Sequence, residues 1–199
     1  MSTKLKYLIL YAHPNPKSFN HAICETVHAE LNRSGATVSV RDLYSMNFNP
    51  VLSADDLAGM MQGQLQPEVK AEQEFVSSAD VIVVIYPLWW AGMPAILKGY
   101  IDRVFTEGFA YRINGPDLEG LLKGKKVLLI TTTGAPKEMY ETSGMFKSMA
   151  QTTGEGIFQF AGMELIGHKY LCAIPYITDE ERKKMLEELR ALLQTKLGP

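Results

Sequence analysis

Five short segments of the chain are apolar or β-branched, and polar, helix-periodic sequence separates them. Tyr7-Leu8-Ile9-Leu10-Tyr11 and Val81-Ile82-Val83-Val84-Ile85-Tyr86 are unbroken apolar runs. Lys126-Val127-Leu128-Leu129-Ile130-Thr131 is nearly so, and Thr37-Val38-Ser39-Val40 and Tyr170-Leu171-Cys172-Ala173-Ile174 complete the set. Runs this short and this continuous predict strands buried on both faces. Between them the spacing changes to that of helices. Ser18 or Asn20 caps a helix running to about Ser34, and Gly35 suits the left-handed position just past its end. A second helical stretch, from Ser53 to about Ser78, is broken around Gly63 and Pro67. Pro94 fits the first turn of a third, whose stripe is Ile96, Leu97, Tyr100, Ile101, Val104 and Phe105. The last begins near Thr178, where Thr178-Asp179-Glu180-Glu181 forms a capping box, and carries Met185, Leu186, Leu189, Leu192 and Leu193 on one face.

Continuous apolar strands alternating with helices predict an α/β protein: a parallel sheet covered on both sides. Five strands in this order suit the flavodoxin-like three-layer topology, strand order 2-1-3-4-5, as one domain spanning 1–199. Such sheets bind ligands beyond the carboxyl ends of their strands, where strand order reverses. The loops after the first, third and fourth strands are therefore where chemistry is expected.

Composition narrows the classes. A length of 199 residues, 46% of them hydrophobic, permits one sizeable core, and a formal net charge of -2 leaves no basic excess for a nucleic-acid backbone. Cys24 and Cys172 stand in no metal- or dithiol-like spacing and read as buried free thiols in a reducing compartment. With no signal-peptide core and no membrane-length segment, a cytoplasmic location is expected.

In the first loop, His13-Pro14-Asn15-Pro16-Lys17-Ser18-Phe19-Asn20, the helix N-terminus with Lys17, Ser18 and Asn20 would suit a phosphate. A Pro-rich turn with an ordinary cap is the competing reading, and His13 has no partner at metal-ligand spacing. The second loop, Pro87-Leu88-Trp89-Trp90-Ala91-Gly92-Met93-Pro94, sets two tryptophans side by side at a strand end. They are hard to bury together, since each needs a partner for its N–H, and they suggest a flat aromatic ligand. The third, Thr131-Thr132-Thr133-Gly134-Ala135-Pro136, lets backbone approach a ligand closely, with Tyr140 shortly after. A plain strand-to-helix turn would look the same. No dinucleotide fingerprint, Walker lysine or Gly-x-Ser-x-Gly elbow occurs. His21, His28 and His168 read as surface or core histidines.

Several stretches, in order, resemble the short, bacterial-type members of the NAD(P)H:quinone oxidoreductases, the DT-diaphorase-like branch of the flavodoxin superfold. They are Ser18-Phe19-Asn20, Asp42 to Pro50, Pro87-Leu88-x-Trp90, Pro94 to Gly99, Arg103-Val104-Phe105, Phe109-Ala110-Tyr111 and Thr132-Thr133-Gly134 with Tyr140. The resemblance implies a flavin, FAD with FMN as the alternative. His13, Ser18, Phe19 and Asn20 would hold its phosphates and ribityl chain. Pro87, Leu88, Trp89 and Trp90 would line the ring, with Thr132, Thr133, Gly134 and Ala135 at its pyrimidine edge. Tyr140 would be the catalytic hydrogen-bond donor, and Arg182 and Leu186 would meet the adenosine half. Trp90, Phe109, Tyr111 and Phe160 would shape a quinone and nicotinamide pocket across a homodimer interface.

The implied reaction is a ping-pong, two-electron transfer from NAD(P)H through the flavin to a quinone, with azo and nitro compounds as further acceptors. The chain departs from the mammalian pattern at Phe146, where those enzymes have a second catalytic residue, a histidine, and at Trp89 and Ala91 in place of glutamine and phenylalanine. It also lacks a long C-terminal extension and a segment between Ala58 and Gly63 that helps hold adenine, and both losses weaken the case for FAD over FMN. Two rival functions fit the same fold: an electron-carrier flavodoxin, and a regulatory flavoprotein subunit of a potassium efflux system.

Overall fold

The computed structural model describes residues 4–197. Its centre is a five-stranded parallel sheet of β1 (Lys6–Tyr11), β2 (Thr37–Asp42), β3 (Val81–Pro87), β6 (Lys126–Thr132) and β7 (Glu164–Leu171), in the order β2-β1-β3-β6-β7. This is the expected 2-1-3-4-5 order, with the fourth and fifth sheet strands being the sixth and seventh along the chain. The outer two strands are only partly covered, but β3 is buried at every position, as its unbroken apolar run requires.

Alternate residues feed two cores. Leu8, Leu10, Ile82 and Val84 face α4 (Ala95–Val104), α3 (Pro67–Ser78) and Phe158. Tyr7, Ile9, Tyr11, Val83 and Ile85 face α1 (Phe19–Arg33) and α7 (Asp179–Leu197) through Ile23, Val27, Leu189 and Leu193. Each fully buried aliphatic side chain contributes roughly 1.5–3 kcal/mol, so these two layers dominate stability.

The helical boundaries follow their local signals. Ser18, not Asn20, caps α1 by accepting from His21 N, and Gly35 sits at φ 77°. Ser53 and Asp56 close a capping box on α2 (Ala54–Gln62), Gly63 ends that helix at φ 69°, and Pro67 opens α3. Thr178 and Glu181 form the box foreseen for α7.

Three features differ from expectation. The last strand is Glu164–Leu171 and not 170–174. Its half-exposed edge position needs no apolar run, and a register shift against β6 at Val127 and Leu128 disturbs its alternation. Cys172, Ala173 and Ile174 instead turn off the sheet, with Ala173 at φ 60°, and bond to the third loop: Ala173 N donates to Ala135 O and Ile174 N to Thr133 O. Cys172 is consequently half-buried, unlike the fully buried Cys24, and both thiols are free. Two further elements had not been foreseen. One is an antiparallel hairpin, β4 (Tyr111–Asn114) with β5 (Asp117–Gly120); the other is the helical run α5 (Lys137–Thr142), α6 (Met145–Met149) and a wide-turned π-helical segment, Ala150–Gln159.

Three of the segments that carry the family resemblance meet away from the ligand edge. A Cβ on Gly99 would lie 2.1 Å from Pro50 O, so only glycine lets α4 approach the Asp42–Pro50 stretch. Arg103, 3% exposed, donates to both carboxylate oxygens of Asp56 at 3.0 Å and to Asn49 O at 2.8 Å, and pairs with Glu68 at 2.6 Å. These matches hold the fold together and do not touch the crevice.

Candidate active site

Strand order reverses between β1 and β3, and a crevice of about 300 Å³ opens there beyond the strand ends. His13, Ser18, Phe19 and Asn20 line it from the first loop, Pro87, Leu88 and Trp89 from the second, and Thr132, Thr133 and Gly134 from the third. The three loops expected to carry the chemistry therefore converge. Ile174 and Pro175 also line it. Their sequence does not mark them as lining residues, because the apolar run 170–174 reads as strand whereas β7 ends at Leu171.

The first loop is braced from within. Asn15 Oδ1 accepts from Lys17 N at 2.8 Å, and Ser18 N donates to Asn15 O at 3.1 Å. His13 Nδ1 accepts from Asn15 N at 3.0 Å, so the neutral ring carries its proton on Nε2. Burial lowers the His13 pKa, favouring that neutral form. Ser18 takes the His21 N–H, while the Phe19 and Asn20 N–H groups ahead of it have no intrahelical acceptor and lie at the positive end of the helix dipole. Asn20, 4% exposed, donates Nδ2 to Thr132 Oγ1 at 2.8 Å and so ties the first loop to the third; its buried Oδ1 has no partner.

The second loop is strained. Trp89 N and Gly92 O, and Gly92 N and Trp89 O, exchange hydrogen bonds at 3.0 Å around Trp90 (φ 49°) and Ala91 (φ 60°). Two non-glycine residues in succession with positive φ make a turn normally given to Asn-Gly. Trp89 comes out of it toward the crevice, its ring 5.8 Å from that of His13, whereas Trp90 projects outward and is fully exposed. Leu88 N donates to Thr132 O at 2.8 Å, which joins the second loop to the third. At Gly134 a Cβ would meet no protein atom, so the room beside that backbone belongs to the crevice.

The remaining candidates lie around this centre. Arg182 lines an adjoining cavity of about 450 Å³ with Lys17, Ser18, Phe19, Ala22, Ile174, Pro175 and Asp179; it donates to Ile174 O at 3.0 Å. Leu186 is half-buried against the α1–α7 core. Ala135 does not line the crevice; its carbonyl accepts from Thr133 Oγ1 at 3.0 Å. Tyr140 stands in α5, one turn beyond the third loop, against Phe146. Tyr111 and Phe160, rings 5.5 Å apart, line a separate cavity of about 390 Å³, and Phe109 packs on the nearby core.

The crevice is thus apolar and aromatic on one side, rich in donors on the other, and no carboxylate lines it among the described residues. Those residues contain no cluster able to hold a metal ion and no helix long and apolar enough to cross a membrane.

A family model described as the flavodoxin-like fold matches residues 5–193. The chain is 39% identical over 194 residues to an uncharacterized NAD(P)H oxidoreductase of Haemophilus influenzae, covering 97% of this chain and 96% of the relative. It is 37% identical to the ribosyldihydronicotinamide dehydrogenase (quinone) of Pongo abelii over 96% of this chain and 91% of the relative. The solved NAD(P)H:quinone oxidoreductase of Methanothermobacter marburgensis superposes with a TM-score of 0.84 at 30% identity, over 95% of each chain. With the sheet order, the converging loops and nearly the whole length in agreement, the chain belongs to the flavodoxin-like fold family and, within it, to the NAD(P)H:quinone oxidoreductases.

Proposed function

We propose that this enzyme is a flavin-dependent NAD(P)H:quinone oxidoreductase whose flavin occupies the crevice between the β1, β3 and β6 loops. The observation that carries the reading is the pairing, in one crevice free of carboxylates, of an open helix N-terminus with the unpartnered buried Oδ1 of Asn20. An anionic, hydrogen-bonding aromatic ligand satisfies both. The α1 amides, Ser18, Phe19, Asn20 and His13 Nε2–H would hold its phosphates and ribityl chain. Pro87, Leu88 and Trp89 would line the ring, while Thr132, Thr133 and Gly134 would meet its polar edge; Trp90 and Ala135, which do not line the crevice, are left out of that role. Preorganised N–H groups there and the Tyr140 hydroxyl would offset negative charge on the ring.

Of the two flavins, FAD is favoured over FMN by the adjoining cavity, which shares Ser18, Phe19, Ile174 and Pro175 with the crevice and carries Arg182. Arg182 and Leu186 would then meet the adenosine half. When bound, the flavin supplies the two-electron chemistry that links NAD(P)H to a quinone in ping-pong order, with azo and nitro compounds as further acceptors.

The outward Trp90 and the Phe109–Tyr111–Phe160 surface support a homodimer in which each copy completes the other's substrate pocket. The location proposed is cytoplasmic.

Mass spectrometry of the small molecule released on denaturation distinguishes FAD from FMN. Loss of NAD(P)H absorbance with menadione, saturating with parallel double-reciprocal lines, is the expected kinetic result. A protein that retains no flavin and oxidises no NAD(P)H when FAD or FMN is added overturns the reading.

A further inference from the structure

Tyr140 lies on an element with almost nothing else to hold it. Helix α5 is six residues long, buries no residue, and adds none to either core. A helix that short does not persist by itself in water. What holds Tyr140 in place is a row of rings. Its ring lies 5.4 Å from Phe146 on α6, Phe146 lies 4.3 Å from Tyr170 on β7, and Tyr170 lies 4.0 Å from His168, with interplanar angles of 28–32° throughout. None of these four residues belongs to either core cluster.

The far end of the row is fixed in direction as well as position. His168 is bonded through both ring nitrogens, Nε2 with Thr131 Oγ1 at 2.9 Å and Nδ1 with the Tyr170 hydroxyl at 2.8 Å. Thr131 immediately precedes the crevice-lining Thr132 on β6, and Thr133 N donates to Leu171 O beside Tyr170. One end of the row is thus anchored on the strands that carry the crevice, and the other ends at Tyr140.

We infer that Phe146 and Tyr170 are positioning residues: the row of rings Tyr140–Phe146–Tyr170–His168 sets where the Tyr140 hydroxyl stands beyond the third loop. At Phe146, where a histidine would act directly, this chain uses an aromatic ring that acts through its neighbour. The functional half of the inference rests on the proposed role of Tyr140 toward the bound flavin; the structural half does not.

The experiment uses full-length protein with 3-fluorotyrosine placed only at position 140. The ¹⁹F resonance is recorded without flavin, and kcat and KM are measured on the flavin-loaded enzyme. Replacing Phe146→Leu is expected to move the resonance toward that of free fluorotyrosine and to narrow it. It should also lower kcat by about 10- to 100-fold while KM for NAD(P)H stays within about twofold, the pattern of a misplaced group and not of lost binding. Phe146→Tyr, which keeps the ring, restores both. Should Phe146→Leu not fold, Tyr170→Ala removes the next ring and carries the same expectations.

An unmoved resonance in Phe146→Leu and in Tyr170→Ala overturns the inference. So does a moved resonance with parental kcat. If Tyr140→Phe itself keeps parental kcat, the role given to Tyr140 fails, and the flavin-free resonance still decides whether the row holds it.

Discussion

At the scale of single residues, the polar groups away from the crevice carry the clearest consequences. His168 reads from sequence only as a surface or core histidine; in the fold, burial lowers its pKa from 6.5 to about 4. The unfolded chain therefore binds a proton between those values that the folded chain refuses, and stability falls as the pH drops from 6.5 toward 4. The full effect is roughly 3 kcal/mol. His168→Gln should flatten that part of the curve, measured as the urea midpoint against pH; parallel curves for the two proteins would refute it. Asp56 is a different case. It neutralises the buried Arg103, which also holds its own pKa down. Asp56→Ala leaves that guanidinium half-paired in the interior and should cost about 3–5 kcal/mol in urea unfolding. Neither partner was legible beforehand, because 47 residues separate them and no local pattern announces a buried pair.

At the scale of elements, the strained turn is the most direct test. Trp90 and Ala91 both hold positive φ, where an L-residue costs roughly 1–2 kcal/mol and glycine almost nothing. Ala91→Gly should raise the melting temperature by a few degrees, corresponding to about 0.5–1 kcal/mol. A fall would show that the turn changes shape in the folded protein. The same loop shows why elements differed in legibility. β1, β3 and β6 are buried on both faces, so burial writes itself into sequence as an unbroken apolar run, and the loops that follow them were found at once. β7 lies at an edge, half-covered, and no such run marks it; its position was misread, and Ile174 and Pro175 were missed with it. The β4–β5 hairpin did carry a signal: Asn114-Gly115 is a turn pair, and Gly115 sits at φ 63°. Its strands are only four residues each and mostly exposed, with little periodicity around that pair to reinforce it.

At the scale of the whole molecule, topology brings together what sequence separates. Asn20 and Thr132 meet across 112 residues, and that contact could be anticipated only by assuming the strand order. The loops were legible, but the direction of a side chain within a loop was not: Trp89 faces the crevice and Trp90 faces away. Trp90 and Phe160 are both exposed, and the surface of Phe109, Tyr111 and Phe160 with Trp90 is where a second copy is proposed to dock. Phe160→Glu places a charge in its path. The variant is expected to sediment as a monomer and to lose most quinone reduction, while the far-ultraviolet circular dichroism stays unchanged. A dimer of parental activity would place the interface elsewhere.

The Tyr7 hydroxyl donates to the carbonyl of Leu197, 190 residues away. Leu189, Leu193 and Leu197 cover the very face of the sheet that Tyr7, Ile9 and Tyr11 present. During synthesis that face has its first strand long before its final cover leaves the ribosome. At about 5–20 residues per second, the apolar surface that α1 leaves uncovered persists for roughly 10–40 seconds in each nascent chain. Over that interval the face lacks the cover that α7 gives it in the fold. A ribosome-bound chain stalled before Asp179 should therefore be captured by a chaperone that releases one in which α7 has emerged.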